Sequence, residues 1–342
     1  MTDAAGAAIH RSEHFAVLDG WRALSILFVL AGHWLPLGPA SWQMNAAIAA
    51  SGMAIFFTLS GFLITYFLLN DDRAGPFLLK RLARIVPLAW AAMAVIALMW
   101  SESRQHALAN FLFVANLTPD TLMRGGHHLW SLCVEMQFYV CIAVLVFAGG
   151  RRALYSLPFL CLAVTILRVA DGEVISIVTW HRVDEILVGG CVALWWHHYQ
   201  RSKHWHTRSV AWLPVVALVC LITSANPHSQ GLGYLRPYFA AIAVGGSLLA
   251  FPSILNRLFT SSPARYIAQI SYALYVVHGV LGETVLGGQD QSTLVRYLLR
   301  VPLVLLTWLL AHLSTRYFEA RFSRWARRRL EKNASAQPLA TN

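Results

Sequence analysis

Arg22 and His33 stand in a stretch that is otherwise almost wholly apolar, LDGWRALSILFVLAGHW at 18–34. At about 100° per residue they return to the same face of a helix, and at about 1.5 Å per residue they lie roughly 16 Å apart along its axis. The pair has chemical potential. A histidine, with an ordinary pKa of about 6.5, takes up and releases protons near neutral pH. An arginine stabilises phosphate or a developing oxyanion. Asp19 sits three positions before Arg22, within pairing reach. An arginine at the centre of a membrane helix costs about 2.5–3.5 kcal/mol on insertion scales. Bearing that cost points to a polar, hydrated interior.

Similar groups recur in other apolar runs. FLLKRLARIVPLAW (77–90) carries Lys80, Arg81 and Arg84 ahead of Pro87. Residues 80 and 84 share a helical face, and the set suits a phosphorylated ligand. HHLWSLCVEMQFYV (127–140) holds Glu135, a functional candidate by its setting. The adjacent His127 and His128 are poorly spaced as metal ligands on a helix, and no metal is expected. HRVDEILVGGCVALW (181–195) opens on Arg182, Asp184 and Glu185; ISYALYVVHG (270–279) puts His278 mid-helix; RYFEARFSR (316–324) places Glu319 at the end of the last span. Ser60 and Gly61 read as small residues for close helix packing. The five cysteines fall in apolar segments without metal or redox spacing and read as packing residues.

The elements that must position these groups follow from composition. Of 342 residues 57% are hydrophobic and 13% charged, against about 45–50% and about 25% in soluble domains. Mean hydropathy is +0.53. The class expected is an all-α, polytopic integral membrane bundle. Apolar runs predict about ten transmembrane helices, near 15–35, 48–69, 84–100, 130–148, 153–170, 182–199, 210–224, 235–251, 266–285 and 296–317. The short run 107–118 reads as a re-entrant or interfacial piece. The net charge of +11 is read as a topology signal rather than as nucleic-acid binding. With the N-terminus inside, 18 of the 27 lysines and arginines collect on the inner side, including Arg11, Lys80, Lys203, Arg208 and the run Arg321 to Lys332. Both termini are then cytoplasmic. Residues 1–14 lack the apolar core of a cleaved signal peptide and are expected to form a cytoplasmic segment. Residues 15–324 form the membrane domain, and 325–342 a basic, disordered tail.

The motifs resemble those of the integral-membrane acyltransferase 3 family. LDGWRALSILFVLAGHW is similar to its opening Arg, ten residues, His. FFTLSGFLIT (56–65), KRLARIVPLAW (80–90), WSLCVEMQFY (130–139), RVDEILVGG (182–190), ISYALYVVH (270–278) and YFEARFSR (317–324) resemble later motifs in the same order. The likeness spans roughly 15–324. Met136 departs from a common second Glu, Cys133 from a small residue, and Ala320-Arg321 from a Pro.

The resemblance implies transfer of an acyl group, usually acetyl, from cytoplasmic acyl-CoA to a hydroxyl of a cell-surface polysaccharide, lipopolysaccharide or exopolysaccharide precursor, at the cytoplasmic membrane. His33 would be the base, or the carrier of a covalent acyl group. Glu135 would orient His33 or take part in proton transfer, and Arg22 would stabilise negative charge. Lys80, Arg81 and Arg84 would hold the CoA phosphates. Asp19, Ser131, Asp184, His278 and Glu319 are further candidates. The partners expected are acyl-CoA, a glycan or other hydroxyl acceptor, and membrane lipid. The competing readings are an acyltransferase for a small molecule or lipid, and a transporter or flippase, which would more often show internal repeats.

Overall fold

The computed structural model describes residues 15–202, 210–288 and 291–336. Expectations for residues 1–14, and for Lys203 and Arg208, lie outside the described residues. Thirteen α-helices are present among the described residues: α1 Ala16–Trp34, α2 Met44–Asn70, α3 Ala74–Met99, α4 Arg104–Phe111, α5 Trp130–Gly149, α6 Leu157–Asp171, α7 Asp184–Ser202, α8 Leu213–Ser224, α9 Arg236–Leu249, α10 Ser253–Phe259, α11 Ser262–Gly282, α12 Thr293–Leu313 and α13 Ala320–Ala336. Short 3₁₀ turns join several of them.

Each apolar run expected to span coincides with one of these helices, but not all are spans by length and composition. Five stretches are long and apolar enough to cross a membrane: α1, α2, α3, His127–Asp171 and Thr293–Lys332. Pro227–Leu249 with Ser253–Phe259 makes a sixth if that pair, bent by 100°, counts as one. Two physical reasons separate this from the count of ten. Two of the expected runs, α5 and α6, are joined by the 3₁₀ turn Gly150–Ser156 and count as the one stretch His127–Asp171, although Gly150, at φ 60° and ψ −164°, breaks the helix between them. Others are short, such as α8 with 12 residues, about 18 Å against a hydrocarbon core of about 30 Å. The bend before α10 falls at Ala250, in extended backbone, and Pro252, which lacks the N–H needed to continue a helix.

Two expectations change. α3 begins at Ala74, ten residues before the expected start, and keeps Pro87 inside it. Lys80, Arg81 and Arg84 therefore lie on a helix rather than in a loop before one. At the other end α13 is helical to Ala336, so the basic stretch beginning at 325 is an amphipathic helix and not a disordered tail; residues 337–342 lie outside the described residues.

The core is built around α2, which packs on α1 on one side and on α7 on the other. Glycines allow the second contact. A Cβ on Gly61 would stand 1.8 Å from the Ile186 carbonyl oxygen, and one on Gly189 would stand 2.0 Å from that of Thr58. The α2 and α7 backbones thus touch directly, as small residues permit between membrane helices. A buried ionic cluster fixes the start of α7. Arg168 pairs with Asp184, while Arg182 and Arg236 flank Glu185 at 3.3 and 2.6 Å. Removing one member of such a set strands an unpaired buried charge.

Candidate functional site

One face of α1 carries the site, as the helical arithmetic requires. His33 lies in its last turn, Arg22 in its first half. α11 packs against α1 and brings His278 to His33. His33 Nδ1 is 3.0 Å from His278 Nε2, and the two rings stack at 8° with centroids 5.1 Å apart. His278 Nδ1 is 2.6 Å from the Tyr275 carbonyl oxygen.

That carbonyl fixes the protons. A carbonyl only accepts, so His278 Nδ1 carries the hydrogen and its Nε2 is an acceptor. His33 Nδ1–H then donates to His278, and the remaining nitrogen of neutral His33, Nε2, has a free lone pair. His33 is exposed to a cavity of about 490 Å³, also lined by Trp34, His127, His128, Glu283, Arg296 and Arg300. The arrangement is a base with its lone pair available and its ring held from behind.

A second rank holds His278. The Tyr275 hydroxyl donates to the His128 carbonyl, so Ser131 Oγ, 2.6 Å away, donates to Tyr275. His128 packs edge-on against His278, with centroids 4.9 Å apart, and Trp34 closes the far side. His128 fits because residue 279 is glycine: a Cβ there would stand 2.1 Å from His128 Nδ1.

Glu135 is not brought to His33. Its Oε1 accepts from Ser60 Oγ at 2.6 Å and from the Tyr139 hydroxyl. It belongs with the inner cations. Arg22 pairs with Asp19 at 3.9 Å and lies within electrostatic reach of Arg84, Arg81 and Glu135. Arg81 stacks on the rings of Tyr139 and Phe77, and Lys80 on Phe67. Glu319 lies in a π-helical turn, Ser314–Glu319, where it accepts from Thr315 at 2.9 Å and stands within electrostatic reach of Arg84. Asp184 serves the α7 ionic cluster, apart from both centres. Between the two centres lies a second, narrow cavity of about 20 Å³, lined by Arg22, Ser25, Ile26, Val29, Met53, Phe56, Ser271, Tyr272 and Tyr275.

Sequence reading passed over Tyr275, Gly279, Tyr139 and Gln137, weighed His128 only as a metal ligand and took Ser60 for packing. Gln137 donates to the Phe113 carbonyl at 2.8 Å and to Asn116 at 2.9 Å, and accepts from Thr179 at 2.6 Å, tying the loop after α4 to α5. Their signal was present, since several lie inside the quoted motifs, but a tyrosine or glutamine in an apolar helix reads as packing until its partner is known. Among the described residues, no set of three or more His, Cys, Asp or Glu is placed to hold a metal ion.

The fold and site define a membrane protein with a histidine pair at one end of an apolar helix and a cation cluster at the other. A family model described as an acyltransferase domain matches residues 15–313, and the chain belongs to the acyltransferase 3 family. It is 26% identical to the peptidoglycan O-acetyltransferase OatA of Listeria monocytogenes, over 88% of this chain and 54% of that protein. It is 24% identical to nodulation protein 10 of Rhizobium leguminosarum bv. viciae, over 81% of this chain and 85% of that protein. The chain thus spans about half the length of the first relative and most of the second. No solved structure matches.

Proposed function

We propose that this protein is an O-acyltransferase of the cytoplasmic membrane that moves an acetyl group from acetyl-CoA to a hydroxyl of a cell-envelope glycan. The observation that carries this reading is the relay from the Tyr275 carbonyl through His278 to His33, which leaves His33 Nε2 as a free base facing a cavity. In the step proposed, His33 takes the acceptor hydroxyl proton as the oxygen attacks the thioester carbonyl. The C–O bond forms, the C–S bond breaks, and the proton passes to the departing CoA thiolate. His278 holds the ring and shares the charge of the protonated state. A positioned base of this kind contributes about 10²–10⁴ in rate.

The donor enters from the cation end. Lys80, Arg81 and Arg84 take the CoA phosphates, and Arg22 the charge nearest the channel. Glu135 and Glu319 set those cations. The narrow cavity between Arg22 and Tyr275 marks the path of the pantetheine arm, and the roughly 16 Å between Arg22 and His33 along the helix matches such an arm. At about 20 Å³ the cavity must widen as the arm passes. Ten spans with both ends inside would put the phosphates in the cytoplasm and His33 at the outer face. The relatives named for peptidoglycan O-acetylation support a glycan acceptor.

The test is CoA release from acetyl-CoA by the purified protein, with envelope polysaccharide as acceptor, for wild type and His33→Ala. Acceptor-dependent release that disappears in a folded His33→Ala protein is the expected result. Equal release in both removes His33 from the chemistry.

A further inference from the structure

The cavity in front of His33 has a charge asymmetry that the acyl-transfer step does not use. α12 is apolar from Leu294 to Leu313 apart from Arg296, Tyr297, Arg300, Thr307 and His312, and both arginines line this cavity. Inner-side topology signals do not account for them, since both fall on the expected outer flank. Against them, Glu283 is the one carboxylate lining the cavity among the described residues.

The two arginines have different work. Arg296 Nε donates to the Gly288 carbonyl at 3.1 Å and so holds the turn after α11. That turn is tight: Gly288 has φ +63°, and a Cβ on Gly287 would stand 1.8 Å from the Gly282 carbonyl oxygen. It forms the rim of the cavity through Gly282, Glu283 and Gly287. Arg300, one helical turn on, has its guanidinium over the Tyr297 ring at 4.4 Å. Its Nη1 is buried with no hydrogen-bond partner among the described residues. A half-buried guanidinium over a ring, on a side chain that lines the cavity and keeps an unused N–H, is suited to a planar or tetrahedral oxyanion. The cavity of about 490 Å³ falls within the range of about 300–1,000 Å³ usual for small-ligand sites.

We infer that the outer cavity selects an acceptor bearing an oxyanion, a sugar carboxylate or a phosphate, which seats on Arg300 while the acceptor's hydroxyl reaches His33. Glu283, on the rim that Arg296 holds, accepts hydrogen bonds from the remaining sugar hydroxyls and disfavours a second anion. This inference rests on the acyl-transfer reading for its orientation, but its binding half stands apart from it.

The experiment uses the full chain in lipid nanodiscs, with acetyl-CoA and three matched acceptors: methyl glucoside, methyl glucuronide and glucose 6-phosphate. Acetylated sugar is measured by mass spectrometry, and heat stability with each sugar in a parallel assay. Wild type is expected to prefer a charged acceptor over the glucoside by about tenfold or more in kcat/KM, the worth of one charge-assisted contact. Arg300→Gln should collapse that ratio towards one. The stronger of the two charged acceptors identifies carboxylate or phosphate as the source. Equal use of all three sugars by wild type, or an unchanged ratio in Arg300→Gln, overturns the inference. If no sugar is acetylated, the heat assay decides. Stabilisation by a charged sugar but not by the glucoside, lost in Arg300→Gln, supports the anion site while counting against acyl transfer. No charge-dependent stabilisation overturns the anion site.

Discussion

At the scale of single residues, the alignment of Arg22 and His33 on α1 was legible because helix geometry is local. Eleven positions return to one face, and the structure has Arg22 and His33 on one unbroken helix. What could not be read was the residue behind His33. A carboxylate is the usual orienting group, so Glu135 was expected there, yet packing brings His278 from 245 positions away. Nothing local encodes that meeting. It depends on α11 lying against α1 and on glycine at 279, which admits the His128 ring. The relay makes a prediction that a merely structural role would not. His278→Ala removes the acceptor for His33 Nδ1–H and frees the ring to turn. kcat should fall by roughly 10²-fold, the cost of a misplaced catalytic group, with KM for acetyl-CoA little changed. His278→Gln keeps an acceptor oxygen and should recover part of the loss. Steady-state kinetics on the three proteins checks this, and a His278→Ala enzyme with wild-type kcat would show that His33 needs no support. Tyr275→Phe is milder: it loses the bond to the His128 carbonyl, so folded stability should drop by about 1 kcal/mol, read from a thermal or denaturant melt in detergent.

At the scale of elements, helix existence was legible and helix length was not. Hydrophobic runs located every helix that was expected to span. The start of α3 was missed by ten residues because Lys80, Arg81 and Arg84 interrupt the apolar pattern, although long basic side chains sit comfortably on a helix and stack on Phe67, Phe77 and Tyr139. The small residues Ser60 and Gly61 were read as packing, and the two differ. Gly61 does serve a close crossing of α2 and α7, whereas Ser60 donates to Glu135. The crossing is testable. Gly61→Val puts side-chain atoms where the Ile186 carbonyl stands, so the helices must separate. Overpacking of this kind costs about 1–3 kcal/mol or more, and the variant should show a lower melting temperature and a smaller monodisperse fraction on size exclusion; Gly75→Val, at a position with open space around its Cβ, should not. The narrow cavity makes a prediction about the donor path. Ser271 lines it from α11, and Ser271→Leu fills it. Acetyl-CoA turnover should fall by about tenfold or more, as a shift of order 1.4 kcal/mol would give, while stabilisation by a charged sugar at the outer cavity is retained. Loss of both would mean that the bundle itself had been disturbed.

At the scale of the whole molecule, the two centres stand towards opposite ends of α1, and that separation is the functional argument. Cations that suit CoA phosphates lie at the level of Arg22 and α3, and the base and its cavity lie at the level of His33. Charge bias in the sequence leads us to propose that the cation end is cytoplasmic, and α13 is compatible with that proposal. Arg321, Arg324, Arg327, Arg328 and Arg329 are exposed along a helix that packs against α3, with Phe322 and Trp325 exposed among them. A basic helix with aromatic residues of this kind suits an anionic lipid surface. Length and apolarity alone do not yield ten spans, so the sidedness needs its own measurement. In sealed vesicles of inverted orientation the cation end faces the bath, and acetyl-CoA added outside should acetylate an anionic sugar trapped inside. Right-side-out vesicles with the sugar outside should stay inactive until acetyl-CoA is loaded within. The opposite pattern would reverse the orientation and put the base on the donor's side. Activity in both without loading would mean that the two centres open to one face, and the channel between Arg22 and His33 would lose its purpose.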